Sequence, residues 1–105
     1  MAARTPDVDN GVVHPPLDAA QIADSLAALP AWAREDGAIV RTFDLDSFAA
    51  AIAFVVRVGF LAEAADHHPD LDVRWRKVRV SLTTHDSGGI TEQDFVLARQ
   101  IEGVV

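Results

Sequence analysis

The sequence predicts an α+β domain. The chain has 105 residues, which is room for one core and not for two. Hydrophobic residues make up 50% and charged residues 24%, the balance of a globular chain rather than a disordered one. Helix and hairpin signals then follow one another in the order helix, two strands, helix, two strands, helix.

Residues 1–16 are polar, contain proline and end in His14-Pro15-Pro16; they read as a mobile tail, with the domain occupying residues 17–105. Asp18 is a suitable N-cap, Gln21 completes a capping box, and Leu17 can staple onto Ile22. Ile22, Leu26 and Leu29 recur at helical spacing before Pro30 closes the element. Residues 31–45 read as two short strands about a turn at Glu35-Asp36-Gly37, since Asp-Gly supplies the positive φ of tight hairpins. Trp32 falls on the first strand, and Ile39, Val40 and Phe43 on the second.

Asp46 is the expected cap of a long helix that runs to about Asp66. Phe48, Ile52, Val55, Gly59 and Glu63 share one face, while Phe54, Val58 and Leu61 lie on others, so the helix is apolar nearly all round. A two-layer domain buries only one face of a helix on its sheet, and the surplus predicts an oligomer. Beyond His68-Pro69 a second hairpin begins. Val73 and Trp75 alternate with Arg74 and Arg76, then Val78, Val80 and Leu82 alternate with Arg79, Ser81 and Thr83. Its turn, expected near Arg76-Lys77, has no glycine or asparagine to fix it. Gly88-Gly89 breaks the chain, Thr91 and Asp94 form a variant capping box, Ile90 can staple onto Phe95, and the last helix ends at about Glu102.

Sixteen acidic residues against nine basic ones give a formal net charge of -7, which argues against nucleic acid and anionic membrane as partners. The absence of cysteine removes disulfides, thiol nucleophiles and cysteine metal sites, and fits a reducing compartment. The first ten residues carry no apolar leader. The longest nearly uncharged stretch, residues 48–62, is 15 residues long and holds Arg57, short of the roughly 20 that span a bilayer. The expected address is the cytoplasm.

Three of four histidines, His67, His68 and His85, fall within one segment. Glu63 and His67 are four apart on the long helix and are expected to share a face. A hairpin beginning after His68 can return His85 beside its start, so Glu63, His67, His68 and His85 can meet. Three chemistries suit such a cluster. It can ligate a metal, although adjacent histidines are awkwardly placed for one ion. It can be structural, capping carbonyls and pairing with Asp66 and Asp70. Or it can do acid–base work, because imidazole both donates and accepts a proton at neutral pH. No serine or cysteine nucleophile pattern accompanies it.

The run Glu63-x-x-x-His67-His68-Pro69, followed by Trp75, His85 and Asp94, resembles the signature of the pterin-4a-carbinolamine dehydratases. The likeness covers residues 17–102, includes 78–84 and Gly89-Ile90-Thr91-Glu92, and extends to Trp32. It implies a two-layer sandwich with a four-stranded antiparallel sheet and helices on one face. It also implies a homodimer or homotetramer assembled through the long helix and a sheet edge. The implied activity is loss of water from a 4a-hydroxytetrahydropterin to give quinonoid dihydropterin, in tetrahydrobiopterin recycling, with no metal and no organic cofactor. By the same match His67, His68 and His85 are the catalytic candidates. Glu63, Pro69, Trp32, Thr84, Asp86 and Ser87 are the candidates for binding the pterin. Two positions depart from the pattern: Gln93 stands where the family often has arginine, and Ser87 where animal members have cysteine. Some members also serve as a dimerisation cofactor for a homeodomain transcription factor, which makes a protein-binding module the alternative function.

Overall fold

The structure is a computed structural model that describes residues 14–105. Its elements are α1 (Ala19–Ala27), β1 (Ala33–Glu35), β2 (Ala38–Asp44), α2 (Phe48–Ala65), β3 (Asp70–Arg74), β4 (Lys77–Leu82), a 3-10 turn (His85–Ser87) and α3 (Glu92–Glu102), in the expected order. The four strands form one antiparallel sheet in the order β1-β2-β4-β3, with helices on one face, the predicted α+β sandwich.

Strand alternation separates the two faces. Val78, Val80 and Leu82 of β4 are buried toward the helices, while Lys77, Arg79 and Ser81 turn to the other side. On β2, Ile39 and Phe43 enter the core. Phe43 meets Trp32 edge-on at 6.1 Å and Phe54 at 4.7 Å between ring centroids. Arg41 lies 4.1 Å over the Phe43 ring and pairs with Glu102 of α3, which also accepts the Trp32 indole N–H at 2.8 Å. Trp32 is therefore a core residue, immediately before β1 rather than on it.

Both predicted capping boxes form, Asp18 with Gln21 on α1 and Thr91 with Asp94 on α3. Ser47, not Asp46, caps α2, its hydroxyl accepting the Ala50 N–H at 3.0 Å. In the first hairpin the positive φ falls on Asp36 (54°) rather than on Gly37. The second turn is Trp75-Arg76 rather than Arg76-Lys77. Lys77 pairs with Arg74 on the ladder, and Trp75 adopts φ 54° with 83% of its surface exposed instead of continuing the strand. The physical reason is register: pairing Val73 with Val78 puts both on the core face and leaves two residues for the turn.

The 18-residue α2 is long and apolar enough, by length and composition, to cross a membrane. In the fold Ala51, Phe54, Val58 and Ala62 pack into the core, and Arg57 donates from Nε to the Val104 carbonyl at 2.9 Å. Phe48, Ile52, Val56 and Phe60 remain exposed along its other side.

Of the expected tail, residues 1–13 lie outside the described residues. His14–Pro16 run along the loop after β4, where the Ser87 hydroxyl donates to the His14 carbonyl and the Leu17 N–H donates to the Ile90 carbonyl at 2.8 Å.

Candidate active site

The site is built where α2 ends. Asp66 takes a left-handed conformation (φ 51°, ψ 42°), and the His67 N–H closes the helix on the Ala62 carbonyl at 3.1 Å. From there the chain runs through Pro69 into β3. Successive side chains of an extended segment point to opposite sides, so the two adjacent histidines are parted.

His67 turns inward, toward the helix layer. Its Nε2 lies 2.5 Å from Oδ1 of Asp94, the third residue of α3. The other oxygen of Asp94 accepts the Thr91 N–H and the Thr84 hydroxyl, each at 2.9 Å, and the two threonine hydroxyls are 2.8 Å apart. His67, Thr84, Thr91 and Asp94 are all buried, and among the described residues no buried polar side-chain atom lacks a partner. A carboxylate that accepts at both oxygens pairs with the His67 tautomer that has its hydrogen on Nε2, which leaves Nδ1 outside this contact.

His68 turns outward. Its Nε2 is 2.8 Å from Oε1 of Glu63, with both side chains exposed. The spacing expected Glu63 to face His67. The left-handed residue at 66 ends the helix one residue too early for that, and the carboxylate meets the next imidazole instead. His85 opens the 3-10 turn directly after Thr84 and is exposed, with Asp86 and Ser87 beside it. A left-handed Gly88 (φ 74°) closes this turn, and a Thr84–Gly89 bridge clamps its base.

The candidates divide accordingly. Glu63 and His68 meet at the end of α2, and Pro69 is half-buried beside them. Thr84 commits its hydroxyl to the buried network. Trp32 bonds Glu102, at the opposite end of α3 from Asp94, so along that helix it lies about 12 Å from the His67 couple. Among the described residues, no three acidic or histidine side chains gather as a metal site. Asp94 and Thr91 were legible as a capping box. Their link to His67 was not, because nothing local in the sequence says which way the first turn of α3 faces.

Fold and site together define a small two-layer α+β protein with two histidine–carboxylate couples, one buried and one exposed, at one end of its sheet. Residues 15–104 match the family model described as pterin 4 alpha carbinolamine dehydratase, and the chain belongs to that family. It is 57% identical over 91 residues to the protein named "Putative pterin-4-alpha-carbinolamine dehydratase" in Chloroflexus aurantiacus, covering 87% of this chain and 98% of that one. A protein of the same name in Nocardia farcinica is 54% identical over 82 residues, covering 78% and 86%. Among solved structures, a transcriptional coactivator/pterin dehydratase from Brucella melitensis superposes with a TM-score of 0.82 at 33% identity, covering 85% of this chain and 97% of that one.

Proposed function

We propose that the protein dehydrates 4a-hydroxytetrahydropterin to quinonoid dihydropterin by histidine acid–base catalysis, in tetrahydrobiopterin recycling in the cytoplasm. The observation that carries this reading is the pair of carboxylate-backed imidazoles, His67 on Asp94 and His68 on Glu63, at the end of the sheet where His85 also emerges. The reaction needs one proton delivered to the departing hydroxyl at C4a and one taken from N5. As the C4a–O bond breaks, the N5 electron pair forms the C4a=N5 bond. Imidazoles in different protonation states do both, each contributing on the order of 10²–10⁴-fold. Asp94 holds His67 in one tautomer and orientation, and Glu63 does the same for His68 with more freedom. Pro69, Asp86 and Ser87 border the imidazoles and are the nearest candidates for contact with the pterin. Trp32 and Thr84 support the site from the core.

Purified protein is expected to turn over 4a-hydroxytetrahydropterin at a rate that a chelator leaves unchanged. Binding of the pterin without turnover would replace the enzyme by a binding module, and inhibition by the chelator reversed by zinc would replace acid–base chemistry by a metal centre.

The exposed row Phe48, Ile52, Val56 and Phe60 supports a homo-oligomer, dimer or tetramer, assembled on α2 and a sheet edge. These residues follow at i, i+4 spacing over about 18 Å of helix, and Phe60 is 74% exposed, so the stripe is continuous and uncovered in a single protomer. Sedimentation at micromolar concentration is expected to give a multiple of 11.3 kDa for the parent chain and a smaller mass for Phe60→Glu. A parent chain that sediments as a stable monomer would overturn the assembly.

A further inference from the structure

We infer that Thr84 is a positioning residue: its hydroxyl, acting through Asp94, holds the His67 imidazole, while its main chain holds the turn that carries His85. This role deepens the dehydratase reading and rests on it for the reaction, but the geometry is open to test without a substrate. The family likeness alone set Thr84 among the residues expected to touch the pterin. Its side chain is buried and points the other way, into the network on Asp94.

Counting hydrogens gives that network a direction. A threonine hydroxyl has one hydrogen to donate. That of Thr84 goes to Oδ2 of Asp94 at 2.9 Å, and a carboxylate oxygen only accepts. The 2.8 Å contact between the two threonine hydroxyls therefore has Thr91 as its donor, and Thr91 in turn accepts the Gln93 N–H at 3.2 Å. Every hydrogen along this row points toward Asp94, and the Thr91 amide adds another at Oδ2, also at 2.9 Å. Two donors on one oxygen fix the rotation of the carboxylate, and with it the place of Oδ1, 2.5 Å from Nε2 of His67. The Thr91 amide lies on the same turn of chain as Asp94. The Thr84 hydroxyl is what ties the carboxylate to the segment leading into His85.

The main chain of the same residue sets the other imidazole. The Thr84 N–H donates to the Gly89 carbonyl at 3.0 Å, and the Thr84 carbonyl accepts the N–H groups of Ser87 at 3.0 Å and Gly89 at 3.3 Å. These bonds close the base of the turn that His85 opens. Thr84 itself is extended (φ -110°, ψ 93°), so its side chain and that of His85 leave toward opposite sides, one buried and one exposed. The separation of the His67 and His85 rings thus runs through a single residue. Delivering a proton to one atom of the pterin and taking one from another needs that separation held.

Thr84→Val removes the hydroxyl and keeps the branched side chain and the backbone, so it cuts the link to His67 and spares the one to His85. It is expected to lower kcat about tenfold with KM within about twofold of the parent, and Thr84→Ser is expected to restore kcat to within about threefold. In a His67→Ala background Thr84→Val is expected to cost less than about twofold more, the mark of a residue that acts through that ring. Nitrogen NMR of the imidazoles, taken without substrate, is expected to show the His67 hydrogen on Nε2 in the parent and in Thr84→Ser. Thr84→Val should give a mixture of His67 tautomers beside an unaltered His85. A change in KM with kcat unmoved would put the hydroxyl on the pterin, and an equal loss of kcat with or without His67 would separate it from that ring; either overturns the role. So does an unaltered His67 spectrum in Thr84→Val, or a change in both rings, which would mean that the whole turn had moved. A parent His67 without its hydrogen on Nε2 overturns it whether or not the variants fold. A parent protein that turns over no pterin removes the dehydratase reading, and the ring spectra still decide the positioning.

Discussion

Asp94→Ala is expected to destabilise the domain by about 3–5 kcal/mol, since each buried donor left without its acceptor costs about 1–3 kcal/mol and three are left at once. The fully buried carboxylate accepts from the His67 ring, the Thr91 amide and the Thr84 hydroxyl at once. Alanine leaves all three donors in a space that water enters poorly, and it removes half of the capping box that starts α3. Domains of this size are stable by roughly 5–15 kcal/mol, so a large share of the total is at stake. Urea unfolding, run at fixed protomer concentration because assembly adds its own term, is expected to show a lower midpoint with an unchanged slope. Asp94→Asn keeps one carbonyl oxygen and should lose less. A loss below about 1 kcal/mol for alanine would mean that the network is not holding the fold together.

His85→Ala is expected to lower turnover by roughly 10²-fold or more with little change in stability, since the imidazole is exposed and makes no hydrogen bond among the described residues. His67→Ala should show a similar loss of turnover together with a lower urea midpoint, because it uncouples Asp94. His68→Ala removes only an exposed contact with Glu63 from the fold, and its cost should fall on activity and substrate binding. His14→Ala serves as the control: its contact with Ser87 runs through the backbone carbonyl, which alanine keeps. Wild-type turnover in all three site variants would return the histidines to a purely structural role.

Local chemistry was the legible part of this sequence. Both capping boxes, the Asp36-Gly37 turn and the core face of β4 follow from residues a few positions apart, and each formed as expected. The hidden features depend on competition or on distance. Asp46 and Ser47 are both good caps, and only the geometry of the first turn of α2 chooses between them. The buried face of α2 was unreadable because apolar residues surround the helix; the core took Ala51, Phe54, Val58 and Ala62, leaving Phe48 and Ile52 outside. Trp75 sits in a left-handed turn against its own preference because ladder pairing on both sides outweighs it. At the site, three histidines could be gathered by spacing, but their partition depended on a single left-handed residue at 66 and on a carboxylate 27 residues from His67.

Asp94 does two jobs through one side chain: one oxygen holds the Thr91 amide and the other holds the His67 ring. An opening of the first turn of α3 that carries Asp94 with it exposes the Thr91 amide to solvent and releases the carboxylate from His67 together, so in that opening the two events share a free energy. On the acid–base reading proposed above, fraying of this helix end bears on turnover as well as on stability. An amide at the start of α3 becomes a clock for the integrity of an imidazole that lies on a different element.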